Sequence, residues 1–289
     1  MLQLNGIFPP LPTSFNSDES LSEKHIRRNI GYLNSFDLRG YLILGSNGEL
    51  VMLTHDEKIR VMHAAREAVP REKLLLAGTG CESTHKTISL CKEAAKAGAD
   101  AVMVLNPSYY KAQMTHSALV KHYHAVADAS DLPVIIYNMP ANTGIDMTAD
   151  DILAIADHPN IIGLKDSGGN VAKMGDIVFR AKEGFQVLAG SAGFLLPALS
   201  VGAVGGVLAL ANIAPNHCID IYLAFQEGSI EKARELQHSI IALNTAVTRK
   251  WGVPALKAAM DHSGMYGGAC RKPLQPITED VNEKLKQLL

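Results

Sequence analysis

Residues 131–169 read "DLPVIIYNMPANTGIDMTADDILAIADHPNIIGLKDSGG". Within this stretch "PVIIYN" (133–138) and "IIGLK" (161–165) are short, nearly unbroken apolar runs. Between them "TADDILAIADH" (148–158) spaces its apolar residues as a helix does. Continuous apolar runs are what parallel strands need when helices cover the sheet. The stretch therefore reads as one strand–helix–strand unit. It also ends its second strand on Lys165, an amine placed where the chain leaves the core. Such a lysine can lay its stem over apolar surface and send its head to water. Alternatively, it is an amine kept partly desolvated so that it acts as a nucleophile.

The same alternation extends in both directions. Further strand-like runs are "GIFPPL" (6–11), "GYLILG" (40–45), "KLLLAGT" (73–79), "DAVMVL" (100–105), "QVLAG" (186–190) and "AVGGVLAL" (203–210). Helical patterns separate them: "SEKHIRRNIGYLNS", "THDEKIRVMHAAREAV", "THKTISLCKEAAKAG", "HSALVKHYHAVADAS" and "VAKMGDIVFRAKEG". Thr54, Thr84 and Thr148 stand where N-caps are expected, and "KAGAD" and "KEGFQ" close helices with glycine. Eight β units divided by helices predict an α/β fold, a (β/α)₈ TIM barrel, over residues 1–225. A doubly wound open sheet is the rival, weakened because no G-x-G-x-x-G opens a helix after the first strand. From residue 226 to 289 only helical spacing remains, which predicts an added C-terminal helical region used for packing or oligomer contacts.

Bulk properties exclude several functions. With 289 residues, 47% of them hydrophobic, the chain can bury a full core. A net charge of −2 gives no electrostatic reason to bind nucleic acid or a membrane surface. No apolar run is long enough to span a bilayer, and the start lacks a signal or transit pattern, so a cytoplasmic protein is expected. Cys81, Cys91, Cys218 and Cys270 lie far apart, and no H-E-x-x-H or other ligand spacing appears. A site without metal or cofactor is therefore expected. His55, His63, His85, His122 and His124 fall in helical runs and are assigned to surface or packing.

In a TIM barrel the chemistry collects at the C-terminal ends of the strands. Those ends read Gly45-Ser46-Asn47-Gly48-Glu49, Asn106-Pro107-Ser108-Tyr109-Tyr110, Tyr137-Asn138-Met139-Pro140-Ala141-Asn142, Lys165-Asp166-Ser167-Gly168-Gly169 and Gly190-Ser191-Ala192-Gly193. All five are expected in one mouth. The "GSNGE" turn can aim backbone N–H groups at an anion, or it is an ordinary glycine turn with Glu49 capping a helix. Tyr137, one strand before Lys165, brings a phenol beside the amine. Asp166 follows the lysine on the other face of the strand and reads as structural.

Taken together, "GIFPPLPTSF", "GSNGE", "YY", "YNMPANTG", "GLKDSGG", "VLAGSAG" and "GAVGGVLALAN" resemble the dihydrodipicolinate synthase and N-acetylneuraminate lyase family of class I, lysine-dependent aldolases, nearly end to end. Within it, "LLLAGTGCEST", "AVTRK" and "GGACRKPL" look most like the 4-hydroxy-2-oxoglutarate aldolases. The resemblance implies that Lys165 forms a Schiff base and that Tyr137 moves the proton, with Ser46 and Tyr109 completing a relay. It implies a homotetramer built as a dimer of dimers, with Tyr109 delivered from a neighbouring subunit. The Ser46–Asn47 backbone would bind the pyruvyl carboxylate of a 2-oxo acid. In synthases of the family an arginine follows the "YN-x-P" loop, and here Asn142 stands in its place. That points to 4-hydroxy-2-oxoglutarate cleavage, with Asn142, Ser167 and N–H groups near Gly168 holding the distal carboxylate. The alternatives are condensation of pyruvate with aspartate semialdehyde, pyruvate release from a sugar acid, and a non-catalytic barrel that binds keto acids.

Overall fold

The computed structural model describes residues 2–289. Eight strands form one sheet in the order β1-β8-β7-β6-β5-β4-β3-β2, neighbouring strands running parallel. They are β1 (Gly6–Phe8), β2 (Gly40–Ile43), β3 (Leu74–Gly78), β4 (Ala101–Leu105), β5 (Val134–Asn138), β6 (Ile161–Asp166), β7 (Gln186–Ala189) and β8 (Gly205–Val207). The last contact that closes the ring, β1 to β2, is a single parallel bridge between Pro10 and Leu42. Pro9 and Pro10 carry no N–H, so this seam cannot support a ladder. Leu42 donates to the Pro9 carbonyl at 3.1 Å and Leu11 to the Leu42 carbonyl at 2.8 Å instead. The fold is the expected (β/α)₈ barrel.

Two apolar layers hold it together. Leu4, Phe8, Leu42, Leu76, Met103, Ile135, Leu188 and Val207 fill the barrel interior, and Tyr137 belongs to that inner cluster. The alternate strand positions, among them Ile43, Leu75, Val102, Val104, Val134 and Ile136, pack outward against the helices. This inside–outside alternation is the period of two that strands impose. At the bottom, Gln186 ties the N-terminal residues down, accepting from Leu4 N at 2.7 Å and donating to the Leu2 carbonyl at 2.9 Å.

Local signals were obeyed with two revisions. Thr54 and Thr148 form full capping boxes with Glu57 and Asp151. The third cap falls one residue earlier than expected. Ser83 accepts from Lys86 N, while Thr84 starts the helix and its hydroxyl meets His122 Nδ1 at 2.9 Å. The apolar run 203–210 is strand only over Gly205–Val207, then turns into a 3₁₀ segment, Ala209–Asn212. After Pro215–Gln226 come helices Ile230–Ser239, Ile241–Thr245, Gly252–His262 and Glu279–Lys286, with a π-helical turn over Ala246–Lys250. No helix among the described residues is long and apolar enough to cross a membrane.

Candidate active site

Register places the central pair. Tyr137 on β5 is the direct cross-strand partner of Lys165 on β6. Both are buried, at 5% and 4% exposure, and the lysine Nζ lies 4.1 Å from the centre of the tyrosine ring. Ser46 Oγ stands 3.3 Å from the Tyr137 hydroxyl, across the barrel from β2. Burial alone pushes the Tyr137 phenol up, yet its pKa is held below the ordinary value. The Lys165 charge and hydrogen bonding from Ser46, Ser167 and Lys165 outweigh the loss of water. A phenol so placed can release and regain a proton more readily than a free tyrosine.

These groups open into a cleft enclosing about 580 Å³, a size suited to a small organic acid. Ser46, Asn47, Tyr137, Asn142, Lys165, Ser167 and Gly168 all line it, as does Ser191 after β7. Asn142 is presented by a single helical turn, Pro140–Thr143, stopped by Gly144 in the left-handed region at φ +66°. Asn47 Nδ2 is buried without a hydrogen bond, and Ser167 Oγ has only its loose contact with the Tyr137 hydroxyl. Unsatisfied polar atoms on a cleft wall are the groups a ligand would complete. A Cβ at Gly190 would run into Ser167 Oγ, so the strand-seven end must stay bare for that hydroxyl to keep its place.

Three expectations need correcting. Gly168 lines the cleft, but its N–H already donates to Asp166 Oδ1 at 2.7 Å, and Ser167 N–H donates to the Asn138 carbonyl at 2.9 Å. Those two amides are spoken for and are not free to bind an anion. Tyr109 and Tyr110 do not line the mouth of their own chain; they are 78% and 70% exposed and stack edge to face at 5.1 Å. Glu82 accepts from Ser108 N–H and Tyr109 N–H, both at 2.9 Å, and so fixes their loop. Glu49 is no helix cap. It is buried and pairs with Lys257 at 2.6 Å, both side chains being 1% exposed. Asp166 is structural as expected, fully buried and held by Asn138 Nδ2 and Lys173 Nζ, each at 3.0 Å.

The "GSNGE" turn is a strained piece of backbone. Leu44 at φ +56° and Glu49 at φ +53° bracket it, and neither is a glycine. Such residues cost on the order of 1–3 kcal/mol each and persist where surroundings hold them. Here the C-terminal region holds them. Lys257 pairs with Glu49, Arg271 N–H donates to Glu49 Oε2 at 2.8 Å, and the Arg271 guanidinium grips Glu57 at 2.7 and 2.8 Å. That grip keeps the Glu57 carboxyl down at about 2.

Sequence reasoning missed a whole wall of the cleft. Val247, Thr248, Arg249, Gly252 and Val253 line it from the C-terminal region, and Pro10 and Ala209 line it from the barrel. The basic step Arg249-Lys250 at the end of a helical run was the only visible hint. No group of three or more His, Cys, Asp or Glu among the described residues is arranged to hold a metal ion.

A (β/α)₈ barrel whose mouth buries a lysine against a tyrosine defines the class: a barrel lyase of the aldolase type. The chain matches the dihydrodipicolinate synthetase family model over residues 3–289 and belongs to that family. It is 38% identical over 282 residues to the "Probable 4-hydroxy-2-oxoglutarate aldolase, mitochondrial" of Emericella nidulans, covering 96% of this chain and 91% of that one. It is 33% identical to a 4-hydroxy-tetrahydrodipicolinate synthase of Methanothrix thermoacetophila, over 98% of this chain and 95% of the relative. Among solved structures, dihydrodipicolinate synthase DapA-2 from Bacillus anthracis superposes with a TM-score of 0.95 at 28% identity, covering 100% of this chain and 98% of that one.

Proposed function

We propose that the protein is a Schiff-base aldolase that cleaves 4-hydroxy-2-oxoglutarate to pyruvate and glyoxylate. The register pair of Lys165 and Tyr137 carries the chemistry, and Asn142 in the loop after β5 carries the substrate reading. The neutral Lys165 amine adds to the C2 carbonyl, and the carbinolamine hydroxyl leaves as water with a proton from the Tyr137 phenol, giving a protonated imine beside a phenolate. Tyr137, as phenolate, takes the C4 hydroxyl proton. The C3–C4 bond breaks, its electrons flow to the imine nitrogen, and glyoxylate departs from an enamine. Tyr137 returns its proton to C3, and water hydrolyses the imine to free pyruvate. Ser46 and its turn hold the pyruvyl carboxylate, and Ser46 Oγ links the phenol to the turn. We further propose that Tyr109, exposed on its own chain, completes the relay in the mouth of a second copy within a homotetramer.

An amide at Asn142 cannot form the two-pronged, charge-assisted pair that an arginine makes with a carboxylate. This disfavours aspartate semialdehyde as the natural acceptor, and the 38% identity to a relative named for the hydroxyoxoglutarate reaction supports the same side. The synthase reading stays alive because other relatives carry that name. A coupled assay at matched concentrations separates them. Cleavage of 4-hydroxy-2-oxoglutarate should have the higher kcat/KM; a higher value for pyruvate plus aspartate semialdehyde would put the synthase in its place.

Tyr137→Phe should keep the fold and still trap pyruvate, because the ring stays in the inner cluster. Turnover should fall by roughly two to four decades, the scale for losing a general acid–base group. Near-normal turnover would show that another group moves the proton.

A further inference from the structure

We infer that Arg249 is the specificity residue of this cleft, its guanidinium taking the far carboxylate of a 2-oxo diacid whose oxo end reaches Lys165. The inference rests on the imine reading above and names what the site recognises at the other end of the substrate.

Among the residues that line the cleft, Lys165 and Arg249 are the only charged ones, and no carboxylate faces them. Once Lys165 has been consumed as an imine, Arg249 is the remaining free cation of the wall. It makes no ion pair and no side-chain hydrogen bond among the described residues, unlike Arg66, Arg180 or Arg271, each of which has a carboxylate. The acids nearest the loop after β6 are already committed. Asp166 and Asp146 share Lys173, at 3.0 and 2.5 Å, and both accept from Asn138. Nothing in the cleft therefore neutralises Arg249, and a planar two-pronged donor without a partner suits a carboxylate.

The backbone places it there. The helix Ile241–Thr245 gives way to a π turn over Ala246–Lys250, closed by Trp251 N–H on the Ala246 carbonyl at 3.0 Å. Single π turns inside helices often mark functional sites. This one lies along the cleft wall, which Val247, Thr248 and Arg249 line in succession. Arg249 approaches Gly169 on the opposite loop. The glycine's left-handed backbone, φ +78°, leaves a bare surface, and Arg249 Nη2 lies 3.9 Å from where a Cβ would stand. The guanidinium thus reaches over the loop that begins at Lys165. Asn142 lines the same cleft and adds an uncharged donor.

The test compares substrates that differ only in the far group: 4-hydroxy-2-oxoglutarate and 4-hydroxy-2-oxopentanoate, which ends in a methyl. Wild type should prefer the diacid. Arg249→Met should erase most of that preference, on the order of ten- to a hundredfold, appearing mainly in KM. The range is modest because the arginine sits in an exposed rim. Arg249→Lys should keep part of it. An unchanged preference in Arg249→Met, or an equal loss on both substrates, overturns the inference. A second measurement needs no variant and no turnover: protection of Lys165 from trapping by pyruvate and borohydride. In wild type 2-oxoglutarate should protect at lower concentration than 2-oxopentanoate, and rising salt should shrink the difference. Equal protection by the two acids also overturns it. If wild type traps pyruvate yet cleaves neither hydroxy acid, the substrate reading fails by itself, and the protection experiment still decides the role of Arg249.

Discussion

Lys165→Met is expected to abolish turnover and pyruvate trapping while the barrel stays folded. Methionine fills the space of the lysine stem at a site only 4% exposed, so packing against the Tyr137 ring survives. No imine can form, so the C3–C4 electrons have nowhere to go. In wild type, borohydride with pyruvate should leave a reduced adduct on Lys165, located by peptide mass spectrometry. The variant also has a spectroscopic signature with a definite sign. The Tyr137 phenol is held below its ordinary pKa by the Lys165 charge against the opposing effect of burial. With the charge gone and burial retained, the phenolate loses its support and the pKa must rise. An ultraviolet pH titration of wild type and variant should show one tyrosine ionising later in the variant. Label on another lysine, or residual turnover above background in Lys165→Met, would sink the assignment.

Lys257→Met should be the costliest single change to stability outside the barrel strands. Lys257 and Glu49 are both 1% exposed and 2.6 Å apart, and the lysine also donates to the Ala269 carbonyl at 2.7 Å. Removing the cation leaves a carboxylate buried without its counter-ion, at a cost of about 3–5 kcal/mol. For a chain of 289 residues that lowers Tm by roughly 5–8 °C. The loss should also reach the cleft. Glu49 sits in the left-handed region one residue after the Ser46–Gly48 turn, and the pair is what holds that strained backbone. KM for the 2-oxo acid should therefore rise alongside the fall in Tm. The double variant Lys257→Met/Glu49→Gln should recover part of the stability, since no charge is then stranded. A single variant as stable as wild type would show that water or rearrangement compensates the buried charge.

Periodicity alone fixed the barrel. Apolar runs alternating with helical spacing, from Gly6 to Val207, matched the eight strands to within a few residues. Two strands fall short: β1 ends at Phe8, before prolines that cannot donate to a neighbour, and β8 is strand only over Gly205–Val207. Lys165, Tyr137, Ser46, Asn47 and Asn142 were also legible, because a strand's end and its neighbour in order are fixed once the barrel is. What the sequence could not decide depended on contacts far apart along the chain. Whether Glu49 capped a helix stayed open in the sequence, and Lys257, over two hundred residues away, proved to be its partner. Gly168 read as a free donor until the turn of its backbone gave the N–H to Asp166. Arg249 read as the end of an ordinary helix, because helical apolar spacing does not mark where one turn widens to the π form. Local spacing reports what each element is. Which buried charge meets which, and which helix end becomes a cleft wall, is set by the packing of the whole chain.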